Sequence, residues 1–262
     1  MAFGRRIVVV AAAVSLTIGL AGCGTETGRR AAGHGGASPS PSKSAATNSP
    51  VRLTTASFLP AAKKAFAGKN TVRTSMRMEV AGQTITSAGV ARFGEHPAMS
   101  MVMTSPAFAG EAHVILVDDT IYLSIPGQVP DGKYVKADAH ADDPVAKSFR
   151  QSLDGMNPRT TFAAFDGGLR KVTYVKSETL DGIKVQRYRV TVDTKAALKA
   201  QGQSTVVTGL PKTITYDIWL DSYRLMRKVT FTLAGVTLVL TAKDYGKPVT
   251  IKAPPAADVI TR

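Results

Sequence analysis

Residues 72–93, VRTSMRMEVAGQTITSAGVARF, decide the architecture of this chain. At its start Val72, Thr74, Met76, Met78 and Val80 alternate with Arg73, Ser75, Arg77 and Glu79. A period of two sends successive side chains to opposite faces of a strand, so this strand has one apolar face and one wet face. Ala81-Gly82-Gln83 turns the chain, and a second run returns over 84–93.

The same pattern recurs outward from this hairpin. Pro97 precedes a third run in which Met99, Met101 and Met103 share a face, and Asp118-Asp119-Thr120 separates runs at 112–117 and 121–125. A short strand is expected at 134–136. Later, runs at 171–177 and 183–192 flank Asp181-Gly182, and a meander of 213–220, 224–233 and 236–245 is punctuated by Asp221-Ser222 and Ala234-Gly235.

Helical signals are few. A helix is expected over 54–67, with Thr and Ser as caps, Gly68 as the stop, and Phe58, Leu59, Ala62, Ala65 and Phe66 on one stripe. Asp142-Asp143-Pro144 opens a second helix that runs through Phe149 to Leu153. Asn157-Pro158 opens a third, containing Phe162 and Phe165 and ended by Gly167-Gly168. A short helix over 193–200 and a loop over 201–212 complete the reading. About ten strands joined mostly by tight turns, with helices gathered at the start and the middle, make an α+β fold with a large antiparallel sheet. One face of that sheet is wet and the other must be covered.

The cover is thin, and an apolar interior that is incompletely filled is a ligand cavity. Five of the eight methionines, Met76, Met78, Met99, Met101 and Met103, fall on same-facing positions of two strands. Methionine adapts to varied shapes, which suits a cavity for mixed acyl chains as well as ordinary core filling. By phase, Ile214, Tyr216, Ile218, Val229, Phe231, Leu238 and Leu240 are expected to line the same interior. Trp219 is out of phase with them, and is expected on the wet face of its strand or beneath the C-terminal tail.

Catalytic signatures are absent from the sequence: there is no HExxH, GxSxG, Walker loop or dinucleotide fingerprint. A non-enzymatic protein without cofactor is the expectation. Of the four histidines only His140 has acidic neighbours, Asp138, Asp142 and Asp143, and the last two already serve as a helix cap, so no metal site is assigned.

The amino terminus carries address information. Arg5-Arg6 precedes an apolar run over 7–20, whose roughly 14 residues span about 21 Å as a helix. That is short of a hydrocarbon core of about 30 Å, so the run reads as a signal segment. It ends in Leu20-Ala21-Gly22-Cys23, which resembles a bacterial lipobox, and Cys23 is the single cysteine. Residues 1–22 are therefore expected to be a signal peptide and Cys23 the lipidated first residue of the mature protein. Stable anchoring needs two acyl chains or more. From Cys23 to residue 50 the chain is rich in Gly, Ser, Pro and Ala, and 24–50 hold no aliphatic side chain larger than alanine. Such a segment is a flexible tether with a reach of about 30 Å. A single domain occupies 51–262.

The whole chain carries a formal +14. Setting aside Arg5 and Arg6, and the net two of Arg29, Arg30, Lys43 and Glu26, leaves +10 on the domain. The basic residues are dispersed, and export removes the opportunity for nucleic acid. Anionic headgroups or wall polymers are the better match, and a solvated surface with no specific partner is the alternative.

The C-terminal half resembles a known family. The stretch Asp181-Gly182 through Tyr188 to Asp193, then Tyr216-Asp217-Ile218-Trp219-Leu220-Asp221, then Asp244-Tyr245-Gly246-Lys247-Pro248-Val249, and Ala253-Pro254-Pro255, is similar in content and order to the actinobacterial LppX/LprG-type lipoproteins. Asn157-Pro158 and the lipobox fit as well. Ser222-Tyr223 departs from the pattern, since relatives often have a glycine in that turn. The resemblance implies a half-barrel of the LolA/LolB kind: a curved antiparallel sheet closed on one face by a few helices around an apolar cavity. It implies binding of acylated lipids or lipoglycans and their movement across the envelope, by a monomer lipid-anchored on the extracytoplasmic face of the cell membrane. The alternative is a non-enzymatic envelope module with a packed core, whose basic surface binds wall polymer or a protein partner.

Overall fold

The computed structural model describes residues 51–140, 162, 165–200 and 210–260. The signal segment, Cys23, the tether, the helix expected from Asp142 and most of the one opening at Asn157 lie outside the described residues.

The first described element is helix α1, Thr55–Phe66. Thr54 caps it: its hydroxyl accepts from Ser57 N while the Ser57 hydroxyl accepts from Thr54 N, a reciprocal capping box. Phe58, Leu59, Ala62 and Phe66 form its buried stripe. Strands β1 (Thr71–Val80), β2 (Gln83–Arg92), β3 (Ala98–Thr104), β4 (Glu111–Val117), β5 (Thr120–Ser124) and β6 (Tyr134–Asp138) follow as one meander. Phe162, Phe165 and Asp166 are helical, and Gly167-Gly168 turns the chain as expected. Then come β7 (Leu169–Leu180), β8 (Ile183–Asp193), a short helix α2 (Thr194–Ala200), β9 (Thr213–Asp221), β10 (Met226–Leu233) and β11 (Val236–Lys243). A 3-10 turn, Ala256–Asp258, precedes β12 (Val259–Ile260), which the sequence reading did not include.

All twelve strands belong to one sheet, in the order β12-β6-β5-β4-β3-β2-β1-β11-β10-β9-β8-β7. The two meanders meet at the antiparallel pairing of β1 with β11, residues far apart in the chain. Among the described strands only β12, against β6, pairs in parallel. The sheet has two free edges and does not close, as in a half-barrel.

Four hairpins use the same device. Ala81-Gly82, Asp118-Asp119, Asp181-Gly182 and Ala234-Gly235 each place two consecutive residues at positive φ, between 47° and 80°. That is the primed turn whose twist matches the flanking strands. The β9–β10 turn is different: Arg224, not a glycine, takes φ 65°, and Asp221 Oδ1 holds the turn by accepting from the N–H groups of Tyr223 and Leu225. This side-chain bonding holds the turn without a glycine.

Hydrophobic packing divides into three clusters. The largest joins α1, Phe162, Phe165 and Ala197 to the inward residues of β8, β9 and β10. A second lies on the inward side of β1 to β5 around Val72, Met99, Leu116 and Ile121. On the outward face, Ile251 and Val249 of the C-terminal tail cover Val117, Val90 and Ile115.

Candidate functional site

Direct cross-strand partners share a sheet face, so the register fixes which side chains stand together. Met76 and Met78 of β1 lie opposite Leu240 and Leu238 of β11, which in turn oppose Val229 and Phe231 of β10. Val229 and Phe231 oppose Ile218 and Tyr216 of β9, and Ile214 on the same strand opposes Val192. On the other side, β2 links Met76 through Ser87 to Met103, and its Gly89 and Ala91 oppose Met101 and Met99. The twelve residues singled out in the sequence therefore share the inward face, the one that α1 covers.

They are not equally covered. Met99, Ile214, Ile218 and Val229 are buried, whereas Met76, Met78, Met101, Met103, Tyr216, Phe231, Leu238 and Leu240 are half-buried. The half-buried set concentrates on β1, β3, β10 and β11, and of it Tyr216 and Leu240 pack against the cluster that holds the α1 stripe. Aromatic rings close the other half: Phe58 packs edge-on against Tyr188, Phe66 against Phe162 and Tyr245, and Phe165 against Tyr216. Burial pushes the Tyr216 hydroxyl up to about 12 and raises that of Tyr245 as well, so both phenols stay neutral. No inward position named on β1, β2, β3, β10 or β11 carries a charge. This surface can hold neutral apolar material.

Two inward residues on β2 escaped the sequence reading because neither is large or apolar. Ser87 is 5% exposed, and its hydroxyl has no hydrogen-bond partner among the described residues. A Cβ at Gly89 would stand 2.2 Å from the Ser100 carbonyl oxygen and 2.7 Å from Met101 Cγ, so only glycine fits against the β3 backbone here.

The outward face is polar. A shallow concavity of about 570 Å³ opens there, lined by Ser75, Arg77, Thr86, Thr104, Glu111 and Thr241 among others, with Met76 and Ser87 also in its lining. Trp219 also stands on this face but is 6% exposed. Its indole N–H donates to Glu178 Oε1 at 2.6 Å, and Arg187 and Lys228 lie over the ring at 4.9 and 5.0 Å. Long basic side chains, not the C-terminal tail, cover it. The Lys176 ammonium, and then the indole, hold the Glu178 carboxyl below its usual range. His140 Nε2 lies 3.1 Å from Asp119 Oδ1 in an exposed pair; Asp142 and Asp143 are outside the described residues. Among the described residues no group of three or more His, Cys, Asp or Glu is placed to hold a metal, and no helix is long and apolar enough to cross a membrane.

No protein-family model matches the sequence, and no curated protein matches it either. Solved structures do. The lipoprotein LppX of Mycobacterium tuberculosis is 14% identical, superposes with a TM-score of 0.53, and the match covers 76% of this chain and 98% of that one. LprF of Mycobacterium bovis is 14% identical with a TM-score of 0.54, over 76% of this chain and 96% of its own. A LolA superfamily protein of Nitrosomonas europaea is a much looser likeness, with a TM-score of 0.25. At such identities the likeness is one of fold: this chain has the architecture found in LppX and LprF.

Proposed function

We propose that this protein is a non-enzymatic envelope lipoprotein that holds acylated lipids or lipoglycans against the half-covered part of its inward face and carries them between envelope layers. The observation that carries the reading is the uneven cover: Met76, Met78, Met101, Met103 and Leu238 stay half-buried on a face that is tightly closed a few strands away. A packed interaction module has no reason to leave that apolar surface half-covered. The shared architecture with a structure described as a lipoprotein supports the same reading. In this proposal residues 1–22 are removed, Cys23 carries the acyl anchor, and 23–50 tether a monomeric domain, residues 51–262, outside the cell membrane.

Organic extraction of the purified protein followed by mass spectrometry tests the reading directly. Acylated lipid in stoichiometric amount is expected, and a lipid-free protein that also fails to take up added lipid would overturn it. Cys23→Ser removes the only thiol. That variant should accumulate as precursor or leave the membrane fraction; normal processing and membrane retention would refute the anchor.

A further inference from the structure

The inward column of β2 is a trough. Ser87, Gly89 and Ala91 form its floor, with Met76 on the β1 side and Met101 and Met103 on the β3 side as walls. The floor is small by necessity, because the β3 backbone approaches Gly89 so closely that a Cβ there would stand 2.2 Å from the Ser100 carbonyl oxygen and 2.8 Å from Met101 Cα. Methionine changes rotamer readily, so these walls can part to admit a chain and close over it again.

Burial gives the trough a direction. Ala91 and its partners Val72 and Met99 are buried, while Ile85 and Met78, toward the Ala81-Gly82 turn, are half-buried. The closed end suits the tail of a chain, and the open end suits whatever follows its polar junction. At the junction stands the Ser87 hydroxyl, buried and without a partner among the described residues. A buried hydroxyl left unpaired is costly, and a ligand acceptor placed beside it recovers that cost.

We propose that this trough takes one acyl chain of an ester-linked lipid, with Ser87 Oγ donating a hydrogen bond to the ester carbonyl oxygen. The inference rests on the lipid-binding reading above. An ester fits better than a free fatty acid, because a buried carboxylate needs a cation and the inward positions around Ser87 supply none. The ester carbonyl is a neutral acceptor, matched to a neutral donor.

An ester and an ether with the same chains separate the contribution of the carbonyl from that of the chain. Full-length protein, stripped of lipid, is offered 1,2-dipalmitoylglycerol and its diether analogue 1,2-dihexadecylglycerol in competition, and occupancy is read by native mass spectrometry. Wild type should prefer the ester by about three- to tenfold, the range for one buried hydrogen bond. Ser87→Ala should lose that preference and keep its uptake of the diether. Its lipid-free melting temperature should equal or exceed that of wild type, since an unpaired buried hydroxyl has been removed. Retention of the ester preference in Ser87→Ala, or no preference in wild type, overturns the assignment of Ser87 and leaves lipid binding intact. A lower lipid-free melting temperature makes the hydroxyl structural and also overturns it. Failure of wild type to take up either probe sinks the lipid-binding reading, and this inference with it.

Discussion

The two parts of the inward face are built from different side chains on one continuous sheet. Under α1 the surface is mostly aromatic and β-branched, with Tyr188, Val190, Val192 and Leu220 fully buried and rings meeting edge-on or tilted, as in Phe58 on Tyr188 and Phe165 on Tyr216. Across β1, β3 and β11 it is largely methionine and leucine, half-buried at Met76, Met78, Met101, Met103, Leu238 and Leu240. Aromatic rings and branched side chains have few rotamers to lose, so they fix a single arrangement at little entropic cost. Methionine has many, and holding it in one place is expensive. The first set makes a core with one shape; the second makes a surface that can take several.

If that contrast is real, truncation should cost far more under α1 than across the methionines. Phe58→Ala removes a fully buried ring that packs on Tyr188, and a loss of about 3–5 kcal/mol in urea unfolding is expected. Met78→Ala, on a half-buried position facing Leu238 and Ile85, should cost about 1 kcal/mol or less. Comparable losses would erase the distinction between the two regions.

Enlarging a side chain sharpens it further. Ile218→Trp adds volume to a residue that is 1% exposed inside the packed cluster, where overpacking should cost about 3 kcal/mol. Met101→Trp puts the same ring on the half-buried strip. The variant should melt near the temperature of lipid-free wild type and copurify with less lipid. A strongly destabilised Met101→Trp in a protein whose wild type carries no lipid would mean that the strip is packed after all.

Much of this contrast was legible in the sequence, and the missing part has a physical reason. Alternation over 72–80 and 99–103 set the strand faces, and the caps of α1 and the Ala-Gly and Asp-Gly turns set the element ends, because these are signals between near neighbours. The pairing of Met76 with Leu240 was not legible, since nothing local encodes contact between residues in separate meanders. Nor was the coverage: phase tells that Met99 and Met101 share a face, but not that one is buried and the other half-buried. Ser87 and Gly89 were missed because a hydroxyl and a missing side chain do not register as part of an apolar stripe. The masking of Trp219 by Arg187 and Lys228 was hidden for a similar reason, since only its place on the wet face followed from phase.

The smallest expected effect extends the comparison to the outward face. Behind the methionine strip that face is tied by hydroxyl pairs, Ser75 with Thr241 and Thr86 with Thr104, which do not titrate near neutrality. Behind the aromatic core it is tied by ions: Asp217 on β9 accepts from Arg187 and Arg189 on β8. Burial pulls the Asp217 carboxyl upward, but the two guanidinium groups outweigh it and hold the group below its usual value. A carboxylate whose folded pKa is depressed contributes stability that is complete above the unfolded value, about 3.9, and is lost as pH falls through the lower folded value. Asp217→Asn should therefore be less stable than wild type at pH 7, by about 0.5 kcal/mol given the partial exposure of its partners. The gap should narrow below about pH 4, as wild type gives up the same contribution. Glu178 and Asp193 are lowered too, so both proteins will weaken in acid, and the difference between their urea midpoints across the pH series isolates Asp217. A gap that stays constant from pH 7 to pH 3 would place the effect of the substitution in packing and remove the ionic clamp from the outward side of the aromatic core.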